Sequence, residues 1–152
     1  MNPFTLLKKD HKTVAGLLNK LEKTTDRGLK SRNDLFEQLK EALDVHTSIE
    51  EKILYPALKE KQETEDIALE AIEEHKIVKT LLAELDESAK DTDEWTAKLT
   101  VLKENIEHHV EEEEGEMFPK AQKLFSKAEL DNLGNRLAEE KQKLTPEEVT
   151  AE

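Results

Sequence analysis

The sequence predicts an all-α fold: an up-down-up-down four-helix bundle followed by a short fifth helix. Three observations predict it. Helix-breaking residues are scarce, with 4 glycines and 4 prolines in 152 residues, and no run alternates Val, Ile and Thr as a strand would. Apolar residues recur at steps of three and four through four long segments, the spacing of bundle-core positions. The second half of the chain repeats the first.

The first helix opens at Asn2-Pro3, a capping residue followed by proline at the first helical position. It runs to about Thr25 with Leu7, His11, Val14, Leu18 and Leu21 on its inner stripe. Arg27-Gly28-Leu29 reads as a loop. The second helix starts near Ser31, with Asp34 three residues on in the manner of a capping box, and passes Pro56 to about Lys61. Its stripe is Leu35, Leu39, Ala42, His46, Ile49/Glu50 and Ile53. The third runs from near Thr64 to about Lys90 through Ala68, Ala71, His75, Val78, Leu82 and Leu85. The fourth begins near Asp91–Asp93, acids suited to a helix N-terminus, and reaches about Leu124 through Trp95, Leu99, Leu102, Ile106, His109 and Glu113. Ser126 with Glu129 makes a further capping box and starts a short helix through Leu144. Thr145-Pro146 opens a frayed tail. A single domain over 1–152 is expected, with the bundle at about 2–125, the fifth helix at about 126–144 and the tail at 145–152.

The repeat is explicit. Asp10-His11 through Leu18 matches Glu74-His75 through Leu82, an offset of 64. His46 through Glu50-Glu51 to Tyr55-Pro56 matches His109 through Glu113-Glu114 to Phe118-Pro119, an offset of 63. The chain thus reads as two helical hairpins related by an approximate two-fold axis, neither of which could bury its apolar face alone.

Composition removes several classes of function. The charge is 23 − 36 = −13, the wrong sign for gripping nucleic acid or anionic lipid. No apolar stretch near the N-terminus approaches a membrane span; the longest is Val14–Leu18. No targeting segment is visible, so a cytoplasmic location is expected. Cysteine is absent, which excludes disulfides, thiolate metal sites and a cysteine nucleophile. The His-Glu-x-x-His pattern of zinc proteases is missing. The Glu-x-x-His of ferritin-like sites is missing too, because the residues three before His11, His46, His75, His108 and His109 are Lys8, Leu43, Ile72, Asn105 and Ile106. No glycine-rich phosphate loop or hydrolase signature occurs.

What remains is a histidine on each inner stripe. A lone histidine there is usually a satisfied core residue. Four at matched positions, two with glutamate at i+4, reverse that expectation, because an ionised carboxylate on a core stripe is costly unless a cation compensates it. A spacing of four puts both side chains on one face, roughly 6 Å apart along the axis. His11, His46, His75 and His109 with Glu50 and Glu113 supply four imidazoles and two carboxylates. That set suits two metal ions bridged by the glutamates, with iron, manganese or zinc favoured over calcium or magnesium.

On these residues the chain resembles the hemerythrin-like, HHE-type cation-binding domains, over roughly residues 4–125 and the fifth helix. The ordered pattern Asp10-His11, His46-x-x-x-Glu50 with Tyr55-Pro56, Glu74-His75 and His109-x-x-x-Glu113 with Phe118-Pro119 carries the resemblance. It implies a non-haem di-iron centre, with O2, NO or peroxide as the small-molecule partner. Oxygen-carrying hemerythrins have a second histidine four after the one on the third helix. Here that residue is Lys79, and its repeat partner is Ala15. Six-coordination then leaves two further places on each ion, one of which an oxo or hydroxo bridge would fill. Such an open site favours turnover or reactive ligands over oxygen storage. A further ligand from His108, Asp10 or Glu74 would close the gap but is not expected.

Three functional classes follow: small-ligand binding, sensing or iron handling; an enzyme consuming peroxide or another oxidant; and a metal-free acidic interaction module, against which the inward glutamates argue. His108 lies off the stripe and is expected to be partly exposed. In Glu111–Glu114 with Glu116 only Glu113 faces inward, the rest forming a solvated face. Pro56 and Pro119 should kink their helices. Tyr55 and Phe118 are expected to pack rather than to take part in redox chemistry.

Overall fold

The computed structural model describes residues 1–145. Five helices account for them. α1 is Pro3–Glu22 and α3 is Gln62–Glu87. α2 is a composite: an α-helix at Leu29–Ile49, a π-helical turn at Glu50–Leu54 and a last α-turn at Tyr55–Lys59. α4 repeats that plan, with Asp93–Glu112, a π-turn at Glu113–Met117 and Phe118–Leu124. α5 is Lys127–Leu144. No strand occurs among the described residues. The expected tail beyond Thr145 lies outside them.

The helix starts follow local chemistry. Asn2 Oδ1 accepts the amides of Phe4 and Thr5 at 2.8 and 3.3 Å. Thr92 Oγ1 accepts that of Trp95 at 3.1 Å. Ser126 and Glu129 form the reciprocal capping box. The box expected at Ser31 and Asp34 does not form. α2 starts earlier, at Leu29, with Gly28 before it and no side-chain cap. Arg32 takes over that end instead. It is buried, and its guanidinium donates to Thr24 O, Thr24 Oγ1 and Lys90 O, tying together the two loops at this end of the bundle. The stripe of α2 is shifted accordingly. Phe36 and Leu43 are in the core, while Leu35 and Ala42 are half-buried.

The two prolines widen the helix rather than simply bending it. Proline has no N–H, and its ring crowds the carbonyl four residues back. Immediately before Pro56 the Tyr55 amide bonds to Glu50 O, and before Pro119 the Phe118 amide bonds to Glu113 O. Each is an i→i+5 bond, and each widened turn begins at an inward glutamate.

Two separate apolar clusters fill the interior. One, around Leu18, Phe36, Leu39, Leu85, Trp95 and Leu102, packs the end that holds the α1–α2 and α3–α4 loops. The other, around Leu7, Ile49, Leu54, Leu58, Ala68 and Phe118, packs the end with the π-turns and receives Leu130, Leu133 and Leu137 from α5. Between them lies a polar layer. α5 lies against α1 and α2. Its Gly134 faces the backbone of the N-terminus so closely that a Cβ there would stand 1.8 Å from Met1 O. Lys52 on α2 reaches Glu140 at 2.9 Å, and Lys141 reaches Asp10 on α1 at 2.5 Å.

Candidate metal centre

The polar layer contains all six residues that the spacing singled out. His11, His46, His75 and His109 are buried, and Glu50 and Glu113 expose 0% and 1% of their surface. Each histidine comes from a different bundle helix. The ligand-capable atoms gather into two overlapping sets, His11–His46–Glu50–Glu113 and Glu50–His75–His109–Glu113. Within each set the atoms lie within 4.8 Å of one another. His11 Nε2 is 3.1 Å from Glu113 Oε1, His75 Nε2 is 3.1 Å from Glu50 Oε1, and His109 Nε2 is 3.2 Å from Glu113 Oε2. The two glutamates belong to both sets, as bridging residues would.

All four imidazoles are oriented the same way, by carboxylates outside the cluster. Nδ1–H of His11 donates to Glu114 at 2.6 Å, that of His46 to Asp10 at 2.9 Å, that of His75 to Glu51 at 2.6 Å and that of His109 to Glu74 at 2.6 Å. A carboxylate accepts only, so this arrangement fixes the tautomer and turns every Nε2 inward. Asp10 and Glu74 are therefore not additional inward ligands. Glu114 is not part of a solvated face, as its sequence neighbourhood suggested; it holds His11. His108 is exposed beside Glu112, as expected.

Tyr55 is the residue that sequence reasoning undervalued. In an α-helix it would point roughly 140° away from Glu50. The π-turn brings it round, and its hydroxyl lies 3.0 Å from Glu50 Oε1, 2.6 Å from Glu113 Oε2, 3.1 Å from His75 Nε2 and 3.3 Å from His109 Nε2. Phe118, its repeat partner, stacks on His11 with centroids 6.0 Å apart. The one signal in the sequence was this mismatch of phenol against phenyl at matched positions. The outer carboxylates also had a signal: an acid precedes His11 and His75, and another follows Glu50 and Glu113.

The electrostatics ask for positive charge. Burial works against a charge on His46, but the neighbouring Glu50 charge and the bond to Asp10 outweigh it and push its pKa up to about 10. Burial likewise opposes a charge on His109, where Glu113 and Glu74 push the pKa up to about 11. Burial and the two glutamates together hold the Tyr55 phenol well above its usual range. Among the described residues two buried polar atoms, His46 Nε2 and Glu50 Oε2, have no hydrogen-bond partner, although both sit in the cluster. Unpaired buried groups of this kind are expensive, and a coordinated cation would satisfy both. The donor set therefore fits a metal.

Fold and site together define a metal-binding helical bundle. The model of the hemerythrin HHE cation binding domain matches residues 2–121, and the chain belongs to that family. It is 30% identical over 142 residues to uncharacterised proteins of Mycobacterium tuberculosis (Rv2633c) and Mycobacterium bovis (Mb2666c), covering 91% of this chain and 84% of each relative. A crystal structure of a hemerythrin HHE cation binding domain-containing protein from Mycobacterium kansasii, a homologue of Rv2633c, superposes with a TM-score of 0.82. It is 30% identical, and the match covers 95% of this chain and 87% of that one.

Proposed function

We propose that this is a non-haem di-iron protein that binds O2 or a related small ligand, NO or peroxide, at a carboxylate-bridged centre. The observation that carries the reading is the pair of overlapping four-donor sets sharing Glu50 and Glu113. His11 and His46 would hold one ion and His75 and His109 the other, with both glutamates between them. Iron bound there supplies redox-linked affinity for small oxygen and nitrogen ligands. The chain's own contribution is orientation, shielding and a proton donor. The outer carboxylates aim the imidazoles, the two apolar clusters keep bulk water away, and the Tyr55 hydroxyl offers one more oxygen beside His75 and His109. A cavity of about 30 Å³, lined by the four histidines with Leu43, Val78 and Ile106, has room for a ligand of one or two heavy atoms.

A second reading, an enzyme that consumes peroxide, is favoured by Lys79. No imidazole stands four residues after His75, so coordination is less complete than in an oxygen carrier. The Tyr55 hydroxyl at 2.6 Å from Glu113 gives this reading a proton donor within reach.

Metal analysis of purified protein should find about two irons per chain, and Glu50→Ala or Glu113→Ala should lose most of them. Wild-type metal content in both variants would overturn the ligand assignment. On loaded protein, a reversible absorption change with O2 supports binding, and peroxide loss in proportion to iron supports the enzyme.

A further inference from the structure

The two-fold repeat provides an internal control. Around the polar layer nearly every contact in one half has a counterpart in the other. Lys40 on α2 reaches Asp86 on α3 at 3.1 Å, and Lys103 on α4 reaches Glu22 on α1 at 2.6 Å. These two ion pairs occupy matched positions and close matched seams at the same end of the bundle.

Between these two seams one contact breaks the match. Lys79 on α3 crosses to Glu51 on α2 at 2.9 and 3.0 Å, at the level of the histidines. Its counterpart on α1 is Ala15, whose side chain ends at Cβ. The counterpart of Glu51 is Glu114, which bonds His11 and has no lysine against it among the described residues.

The α1/α4 seam is open where the lysine is missing. A groove of about 260 Å³ lies there, with Ala15 and Lys103 among its walls and His11, Ile106 and Val110 among its lining. Those last three residues also line the internal cavity of about 30 Å³ against the histidines. Ile106 is almost fully buried and Val110 half-buried, so a pair of aliphatic side chains separates groove from cavity. A groove over the α1/α2 seam shares only Val14 with the cavity and includes no histidine.

Resting on the proposed small-ligand site, we propose that ligands reach the centre through the α1/α4 seam, over Ala15 and past Ile106 and Val110, and that Lys79 closes the symmetric entrance. Ala15 thus bears on access alone, whereas Lys79 also bonds Glu51, the carboxylate that holds His75. A barrier on the path changes association and dissociation by the same factor, whereas a change at the centre alters their ratio.

The test uses iron-loaded, reduced protein and nitric oxide, a neutral probe that a new lysine neither attracts nor repels. Association is followed by stopped-flow absorbance and dissociation by trapping released NO. Ala15→Leu, which plugs the groove without charge, should slow both rates by about tenfold with Kd unchanged, and Ala15→Lys, which also bridges to Glu114, should slow association by about tenfold. Lys79→Ala should open a second, parallel path and raise the association rate about twofold. The double variant Ala15→Lys/Lys79→Ala should return near the wild-type rate. A wild-type chain that binds NO while both Ala15 variants bind it equally fast overturns the port alone, as does an Ala15→Leu variant whose Kd moves through dissociation only. A wild-type chain that takes up no iron overturns the functional reading and the port together.

Discussion

At the scale of single residues, the centre is governed by competition between protons and metal for the same imidazoles. His46 and His109 have pKa values raised above 6.5, to about 10 and about 11. Their protonated forms stabilise the folded metal-free protein fully below pH 6.5, and that contribution is lost as pH rises through about 10 to 11. Chemical denaturation of metal-free protein should accordingly show stability falling over that window. Metal binding has the opposite dependence, because Nε2 of His46 and of His109 must lose its proton to coordinate. Adding iron(II) at pH 8 should release protons, detectable in a pH-stat, with apparent affinity rising about tenfold per pH unit for each proton displaced. No proton release would mean that His46 and His109 are already neutral in the metal-free protein. The six inward donors were legible in the sequence because a 3.6-residue period projects them onto one stripe and the repeat presents them twice. Tyr55 was not legible, because its inward position depends on a π-turn that an α-helical projection lacks. Glu51 and Glu114 were hidden for a related reason, lying next to the stripe within acidic runs that ordinarily face water.

At the scale of elements, α5 is held by geometry that sequence period does not encode. The capping box at Ser126 and Glu129 marked its start correctly. Its docking depends on Gly134, where any side chain would collide with the main chain of Met1. Gly134→Ala should destabilise the fold by about 1–3 kcal/mol, since backbone must move to accommodate it. Gly16→Ala makes the control, as nothing lies within 4 Å of the new Cβ, and a helix-interior alanine should stabilise by roughly 0.5–1 kcal/mol. Urea denaturation of the two variants should therefore move in opposite directions. Equal shifts would remove the case for close packing of α5 on the N-terminus. The early start of α2 has a similar origin. Arg32, a charged residue in a charged stretch, gave no sign that it would be buried, and only the meeting of the 22–29 and 87–93 loops in space supplies the carbonyl of Lys90 to its guanidinium.

At the scale of the whole molecule, the proposed ions would be cross-links. Their donors come from α1, α2, α3 and α4, so a bound pair ties the two hairpins together at mid-height, where no covalent bond does. A ligand that binds only the folded state stabilises by about 4 kcal/mol when present at a thousand times its Kd. For a chain of this size that is a rise of roughly 10 °C in Tm. Calorimetry with and without iron should show such a shift in the wild type and none in Glu50→Ala. Identical melting temperatures would count against iron as a structural tie. The bundle topology and the two-fold repeat were legible throughout, because both depend on apolar period and on self-similarity. The inequality of the two halves was legible only as Ala15 against Lys79, and its meaning needed the seam between α1 and α4.

The polar layer has one more consequence. Because it parts the interior into two greasy compartments that do not merge, the molecule is built like a sandwich with an ionic filling. A change of charge in the filling is felt at both slices at once, with little solvent in between to damp it. Emptying or refilling the centre should therefore alter the cohesion of the whole bundle, and the effect should not stay confined to one corner of it.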